Sequence, residues 1–212
     1  SGEVEIIEEI EFANGSGTAT ITLGNGTWDN NGTDVSLIID HAANTGAGTT
    51  DASAVSNGAI TVIGSDDAVN DSHKGGALGD TFRYTANTLN ASDTLDGNGG
   101  ADTIQADIAT GATTITLDWD THTDIENLVA YNPLGTSTNN MVVVINPHTT
   151  AALNAASFTV DASASLLTGT LVFNNAGTNT VTTAFTVTGT TAADNIEGSL
   201  GNDILSGGGT TT

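Results

Sequence analysis

Aspartates recur nine residues apart in two places, each time two positions ahead of an apolar residue. Asp93-Thr94-Leu95 is followed by Asp102-Thr103-Ile104, and Asp194-Asn195-Ile196 by Asp203-Ile204-Leu205. The second aspartate of each pair closes a glycine turn. Asp96-Gly97-Asn98-Gly99-Gly100-Ala101 runs into Asp102, and Gly198-Ser199-Leu200-Gly201-Asn202 runs into Asp203. A weaker copy, Gly75-Gly76-Ala77-Leu78-Gly79, precedes Asp80, and a degenerate one over 189–196 has Ala192 at the second glycine position. A hard cation such as Ca²⁺ takes six to eight oxygens, drawn from carboxylates and backbone carbonyls. Glycine accepts the backbone angles that aim carbonyls inward, and the aspartate adds a carboxylate. The expected metal ligands are therefore Asp80, Asp93, Asp96, Asp102, Asp194 and Asp203, with the backbone of Gly97, Gly99, Gly100, Gly198, Leu200 and Gly201. The simpler reading of the same residues is a set of tight turns capped by solvent-exposed aspartates.

The charge balance supports a cation as partner. The 212 residues carry 25 acids against two cations, Lys74 and Arg83, for a net charge of −23. Nucleic acids and anionic membrane surfaces are excluded as partners, because both are bound mainly through Lys and Arg. Eighteen of the acids are Asp, and five of the seven Glu lie before residue 12. Beyond the N-terminus the acid is thus nearly all of the type that favours turns and metal sites rather than helices. Cys is absent, so disulfides and thiol chemistry are excluded. No apolar run reaches the roughly 18 residues of a membrane-spanning helix. The four His are scattered without a zinc-hydrolase pattern, and no serine-hydrolase elbow occurs. Asp118 and Asp120 flank Trp119, which invites a paired-carboxylate glycosidase reading. Alternation argues against it, placing both acids outward on a strand with Trp119 inward. Asp66, Asp67 and Asp71 read as a solvated acidic loop. The chain reads as non-enzymatic.

The elements that must position these turns are short strands. Thr (38), Gly (26) and Asn (21) dominate, with only two Pro, a composition of strands joined by tight turns. Alternation of apolar and polar residues predicts strands over 4–12, 18–23, 35–39, 59–63, 81–85, 113–117, 125–130, 141–145, 157–160, 170–173 and 181–188. The best helix candidate is 149–156, after Pro147. The spacing of the strands predicts an all-β chain, a parallel β-solenoid (β-roll or β-helix) with Ca²⁺-binding Gly/Asp turns. Residues 64–212 form its body, with motif clusters at 75–105 and 188–209. Residues 1–63 are an N-terminal β region, either separate or part of the same solenoid.

The nonapeptide pairs resemble the RTX (repeats-in-toxin) β-roll, a repeat known for Ca²⁺ binding. The closest stretch runs from Thr188-Gly189 through Asp194 and Asp203 to Gly207-Gly208, and Asp124-Ile125-Glu126-Asn127-Leu128 resembles a segment that recurs between such repeats. The sparse repeats in a Thr/Ala/Asn-rich chain look most like bacterial surface-layer proteins and large secreted RTX adhesins. The resemblance implies Ca²⁺-dependent folding outside the cell, type I export, and self-association into a lattice or filament, with a cell-surface polysaccharide as a second candidate partner. An adhesin stalk, or the accessory roll of a secreted enzyme, is the alternative. In a regular roll a metal sits between turns 18 residues apart. Neither pair here extends to a third clean copy, with Tyr84 and Phe185 in the expected places. Complete sites therefore require longer rungs that bring Asp80 near Asp102, or residues beyond 212 that complete the second cluster.

Overall fold

A computed structural model describes residues 9–13, 15–24, 37–65, 69–85, 88–108, 113–118, 120–131, 138–145, 157–163, 168–175 and 181–208. Among these every regular element is a strand, and the chain winds as a parallel β-solenoid. The first four rungs each carry two strands: β1 (Glu9–Glu11) and β2 (Ala19–Thr22), β3 (Leu37–Asp40) and β4 (Gly48–Asp51), β5 (Ile60–Ile63) and β6 (Ser72–Lys74), β7 (Thr81–Tyr84) and β8 (Thr94–Asp96). The fifth has three, β9 (Thr103–Asp107), β10 (Thr113–Leu117) and β11 (His122–Thr123). Then follow β12 (Asn127–Tyr131) with β13 (Met141–Ile145), β14 (Ser157–Asp161) with β15 (Leu171–Asn175), β16 (Ala184–Thr188) with β17 (Asn195–Ile196), and finally β18 (Ile204–Ser206).

One sheet runs the whole length, in the order β1-β3-β5-β7-β9-β12-β14-β16-β18. The opposite wall changes midway. Strands β2, β4, β6, β8 and β11 form one sheet, and β10, β13, β15 and β17 form another that begins in the rung where the first ends. The long sheet thus holds strands from both sides of residue 64. Its register sets one residue of every strand in a single inward column: Ile10, Ile39, Val62, Phe82, Ile104, Leu128, Val160, Val187 and Leu205. All nine are apolar, so period-two alternation within each strand becomes a continuous core along the axis. From Ile39 to Val187 the column is buried, and Leu205 at the last rung is 45% exposed.

Several strands lie where apolar alternation is missing. The inward column of the shorter early sheet reads Ile21, Thr50, His73, Leu95, His122. Three of those five side chains are polar, so β4, β6 and β11 carry no hydrophobic signature. Two expectations are corrected. The strand over 113–117 ends at Leu117, and Asp118 and Asp120 stand in the turn after it, with the Asp120 N–H donating to Asp118 Oδ1. Asp71 is buried rather than solvated. The helix expected over 149–156, the pair Asp66-Asp67, and Trp119 lie outside the described residues.

Candidate metal centre

The aspartates fall into two structural classes. One class ends strands. Asp40, Asp51, Asp96 and Asp161 each accept an N–H from the residue two positions on, the Asx turn that lets the chain leave the sheet. The other class stands one residue ahead of a strand, and its carboxylate crosses to the preceding rung. Asp80 Oδ1 accepts the Ile60 N–H at 2.7 Å, Asp102 Oδ1 accepts that of Asp80 at 2.7 Å, and a Glu126 oxygen accepts that of Asp102 at 2.7 Å. Asp71 and Asp93 do the same on the opposite wall, accepting the N–H groups of Gly48 and Asp71. Asp194 and Asp203 repeat the contact with Leu171 and Phe185. Each bond satisfies a backbone donor at the sheet margin and fixes the register of two rungs.

Rung length brings these acids together. Thr61 pairs with Thr81, Thr81 with Thr103, and Thr103 with Asn127. The steps are longer than a regular roll's and stack Asp80, Asp102 and Glu126 in successive rungs. The same register position is then taken by Phe158 and Phe185 before Asp203 restores the acid. Asp194 and Asp203 lie on opposite walls, half a rung apart.

The second oxygen of each carboxylate turns back over its own glycine turn. Asp80 Oδ2 accepts the Gly76 N–H, Asp194 Oδ2 that of Thr190 at 2.9 Å, and Asp203 Oδ2 that of Ser199 at 2.7 Å. Asp102 Oδ2 is buried and has no hydrogen-bond partner. The glycines five residues earlier leave the space these oxygens need. A Cβ on Gly75 would strike Asp80 Oδ2 and the Gly97 carbonyl, and one on Gly97 would strike Asp102 Oδ2 and the Asp124 carbonyl. A Cβ on Gly189 would meet Asp194 Oδ2 and the Gly207 carbonyl, and one on Gly198 would meet Asp203 Oδ2. In three of the four turns a carboxylate oxygen and a carbonyl from the next turn converge. Hard cations choose such a donor set. Among the described residues no three acidic or imidazole side chains converge on one point, so backbone oxygens must make up the rest.

The other expected ligands serve the turns in different ways. Gly100 has φ of 115° and lies against Gly79 and Leu78, so only glycine fits there. A Cβ on Gly99 would meet the Ala77 backbone only at ordinary contact distance, and the Gly99 N–H donates to the Gly76 carbonyl. Gly201 is packed onto the Thr182 carbonyl, while Leu200 is 64% exposed. Asp96 forms an ion pair with Lys74 at 2.7 Å.

Electrostatics marks the first cluster as short of positive charge. Burial, with the negative charges of Asp80, Glu126 and Asp124, pushes the Asp102 carboxyl up to about 7. Burial likewise lifts Asp93 to about 6, with Asp71 adding to the rise, and raises Asp80 against the N–H groups of Ile60 and Gly76. Burial opposes ionisation of Asp71 too, but His73 and the N–H groups of Gly48 and Ser65 outweigh it and hold that carboxyl low. Asp71 and Glu126 belong with the expected acids although no glycine turn announces them. Their signal is position: each stands one residue before a strand, about one rung from the next acid.

These distances make a direct test. Gly97→Ala is expected to destabilise the Ca²⁺-loaded protein by about 1–3 kcal/mol through overpacking against backbone. Gly99→Ala, whose Cβ would touch the Ala77 backbone without overlap, is expected to cost less than about 1 kcal/mol. Urea unfolding at saturating Ca²⁺ measures both, and equal losses would remove the close-approach argument.

The family model for the RTX calcium-binding nonapeptide repeat (4 copies) matches residues 87–108 and 186–210. These hold Asp93, Asp102, Asp194 and Asp203, and the Asp80 turn lies outside them. No curated protein and no solved structure matches the chain. The chain carries RTX repeats in those two segments, and the metal such repeats bind is Ca²⁺.

Proposed function

We propose that this RTX-repeat solenoid is a Ca²⁺-dependent structural segment of a bacterial cell-surface protein, one that assembles with further copies of itself. The observation that carries the reading is the convergence of carboxylate and carbonyl oxygens over the repeat glycines, with Asp102 Oδ2 buried and unpartnered. Asp80 and Asp102 would hold Ca²⁺ with the carbonyls of Gly97 and Asp124. Asp194 would do so with Gly207, and Asp203 over Gly198. Asp93, and the turn backbone of Gly99, Gly100, Leu200 and Gly201, complete the proposed ligand groups, while the Lys74 ammonium engages the Asp96 carboxylate. With 25 acids and two cations the metal-free chain repels itself. The ion offsets that repulsion and links successive rungs. A site filled at 100-fold over its dissociation constant contributes about 2.7 kcal/mol, so a few sites decide folding in a domain of ordinary stability. Folding would then wait for the Ca²⁺-rich exterior.

The surface that self-association would use lies around β18. Leu200, Ile204 and Leu205 are exposed there, three of the four large exposed apolar side chains among the described residues. Exposed apolar side chains along a sheet edge are a surface that another rung covers, whether of this chain or of another copy. Sedimentation velocity during a Ca²⁺ titration tests this. Ca²⁺-dependent growth into large assemblies is expected. A protein that folds with Ca²⁺ yet stays monomeric would move the reading to an adhesin stalk or the accessory roll of an enzyme.

A further inference from the structure

The early rungs enclose titratable rings that the Ca²⁺ turns do not use. His41, at the exit of β3, and His73, in β6, are fully buried with ring centroids 5.2 Å apart. Phe12 stacks on the other face of His41 at 4.5 Å, and Tyr84 lies 6.3 Å from His73. The column crosses four rungs. Glycine makes room for it: a Cβ on Gly48 would strike the His41 ring, and one on Gly64 would strike Tyr84. The polar atoms are poorly matched. His41 Nε2 meets Thr50 Oγ1 at 3.0 Å, but His41 Nδ1, both His73 ring nitrogens and the Tyr84 hydroxyl have no hydrogen-bond partner. Buried polar atoms left this way weaken the rungs around them.

The charges facing the stack are few. Asp71 Oδ2 stands 3.7 Å from His73 Nε2, and Asp93 in the next rung bonds the Asp71 N–H at 2.9 Å. Tyr84 faces the same two acids from β7, and burial followed by their charges raises its hydroxyl well above the usual value. Thr50 faces His41 from β4 and Phe12 from the first rung, neither charged. Asp51, Lys74, Arg83 and Asp96 occupy the outward positions of β4, β6, β7 and β8. A proton on His41 would therefore sit in the core beside a second imidazole, with the Asp71 charge offsetting only part of the cost.

We propose that His41, stacked between Phe12 and His73, is an acid-sensitive latch: its protonation opens the early rungs, β3 to β8, while the rungs from β13 onward stay closed. Among the described residues the later rungs offer no counterpart, since the buried positions of β13 to β16 hold Met, Val, Ile, Leu and Phe. The sign is set by burial. Burial, with His73 alongside, lowers His41 to about 4 from 6.5 in the unfolded chain. Between those values the unfolded state binds more protons, so stability present above about pH 6.5 is lost as the pH falls toward 4.

Hydrogen exchange of the Ca²⁺-saturated protein, corrected for the chemical rate, tests the latch. From about pH 7.5 to about pH 5, segments 37–51 and 60–74 are expected to open at least about tenfold more, against little change over 157–163 and 184–206. His41→Phe with His73→Leu, matching Phe12 above and Leu95 below, is expected to remove the acceleration. His41→Gln keeps an acceptor for Thr50 without a proton to gain and serves should the double variant misfold. Acceleration of all four segments together would assign the effect to Ca²⁺ loss and overturn the latch. So would acceleration that persists in His41→Gln, or none in the wild-type protein.

Discussion

Asp102→Asn is expected to remove one ion's share of the Ca²⁺ dependence of folding while leaving the cross-rung bond in place. The asparagine oxygen can still accept the Asp80 N–H that Asp102 Oδ1 holds at 2.7 Å. What disappears is a buried charge crowded by Asp80, Glu126 and Asp124. Stability rises by about 1.4 kcal/mol per tenfold increase in Ca²⁺ for each ion bound only by the folded state. The slope of unfolding free energy against the logarithm of Ca²⁺ concentration should therefore drop by about that amount in the variant. At the lowest Ca²⁺ the variant should be at least as stable as the parent, because relieving an unpaired buried charge offsets the lost ligand. An equal loss at every Ca²⁺ concentration would make Asp102 a backbone staple and nothing more.

Phe185→Ala is expected to act in the opposite way, with a large offset and an unchanged slope. Phe185 occupies the register position that Asp80, Asp102 and Glu126 hold in earlier rungs. It is buried, with Phe173 at 5.3 Å and Phe158 at 6.3 Å, both edge-on. Truncating a buried phenyl costs about 3–5 kcal/mol. No carboxylate lies in this trio, and alanine keeps the backbone N–H that Asp203 Oδ1 accepts, so the loss should be the same at every Ca²⁺ concentration in the same urea series. A change of slope would show that the ring packing and the metal turns are one unit. Together the two variants separate the solenoid into rungs held by ions and rungs held by rings.

That division explains what could be read from the residues alone. The all-β solenoid and the glycine turns were legible because each strand alternates and each turn carries its own glycines. Strand β13, Met141-Val142-Val143-Val144-Ile145, is bounded as expected. Strands β4 and β6 were not legible, because their inward residues are Thr50 and His73, and only the rungs on either side make those positions interior. The residues alone place Asp71 in a solvated loop and give Glu126 no ligand role, for a related reason. Their partners are backbone N–H groups a full rung away, and rung length varies too much for a fixed period to reveal it. Tyr84 and Phe185 interrupt the nonapeptide spacing in sequence. In space Tyr84 fills the gap over Gly64, and Phe185 replaces an acid with a ring.

The most direct measurement is far-UV circular dichroism of the chelated protein during a Ca²⁺ titration, with Mg²⁺ as control. Mg²⁺ demands a smaller octahedral shell and keeps its waters, so it suits a loose set of carboxylates and carbonyls poorly. The oxygens converging over Gly75, Gly97 and Gly189 predict that β structure appears cooperatively with Ca²⁺ and does not appear with Mg²⁺ at the same concentration. A protein fully folded in chelator, or one that responds equally to both ions, would contradict the claim that Ca²⁺ holds these turns.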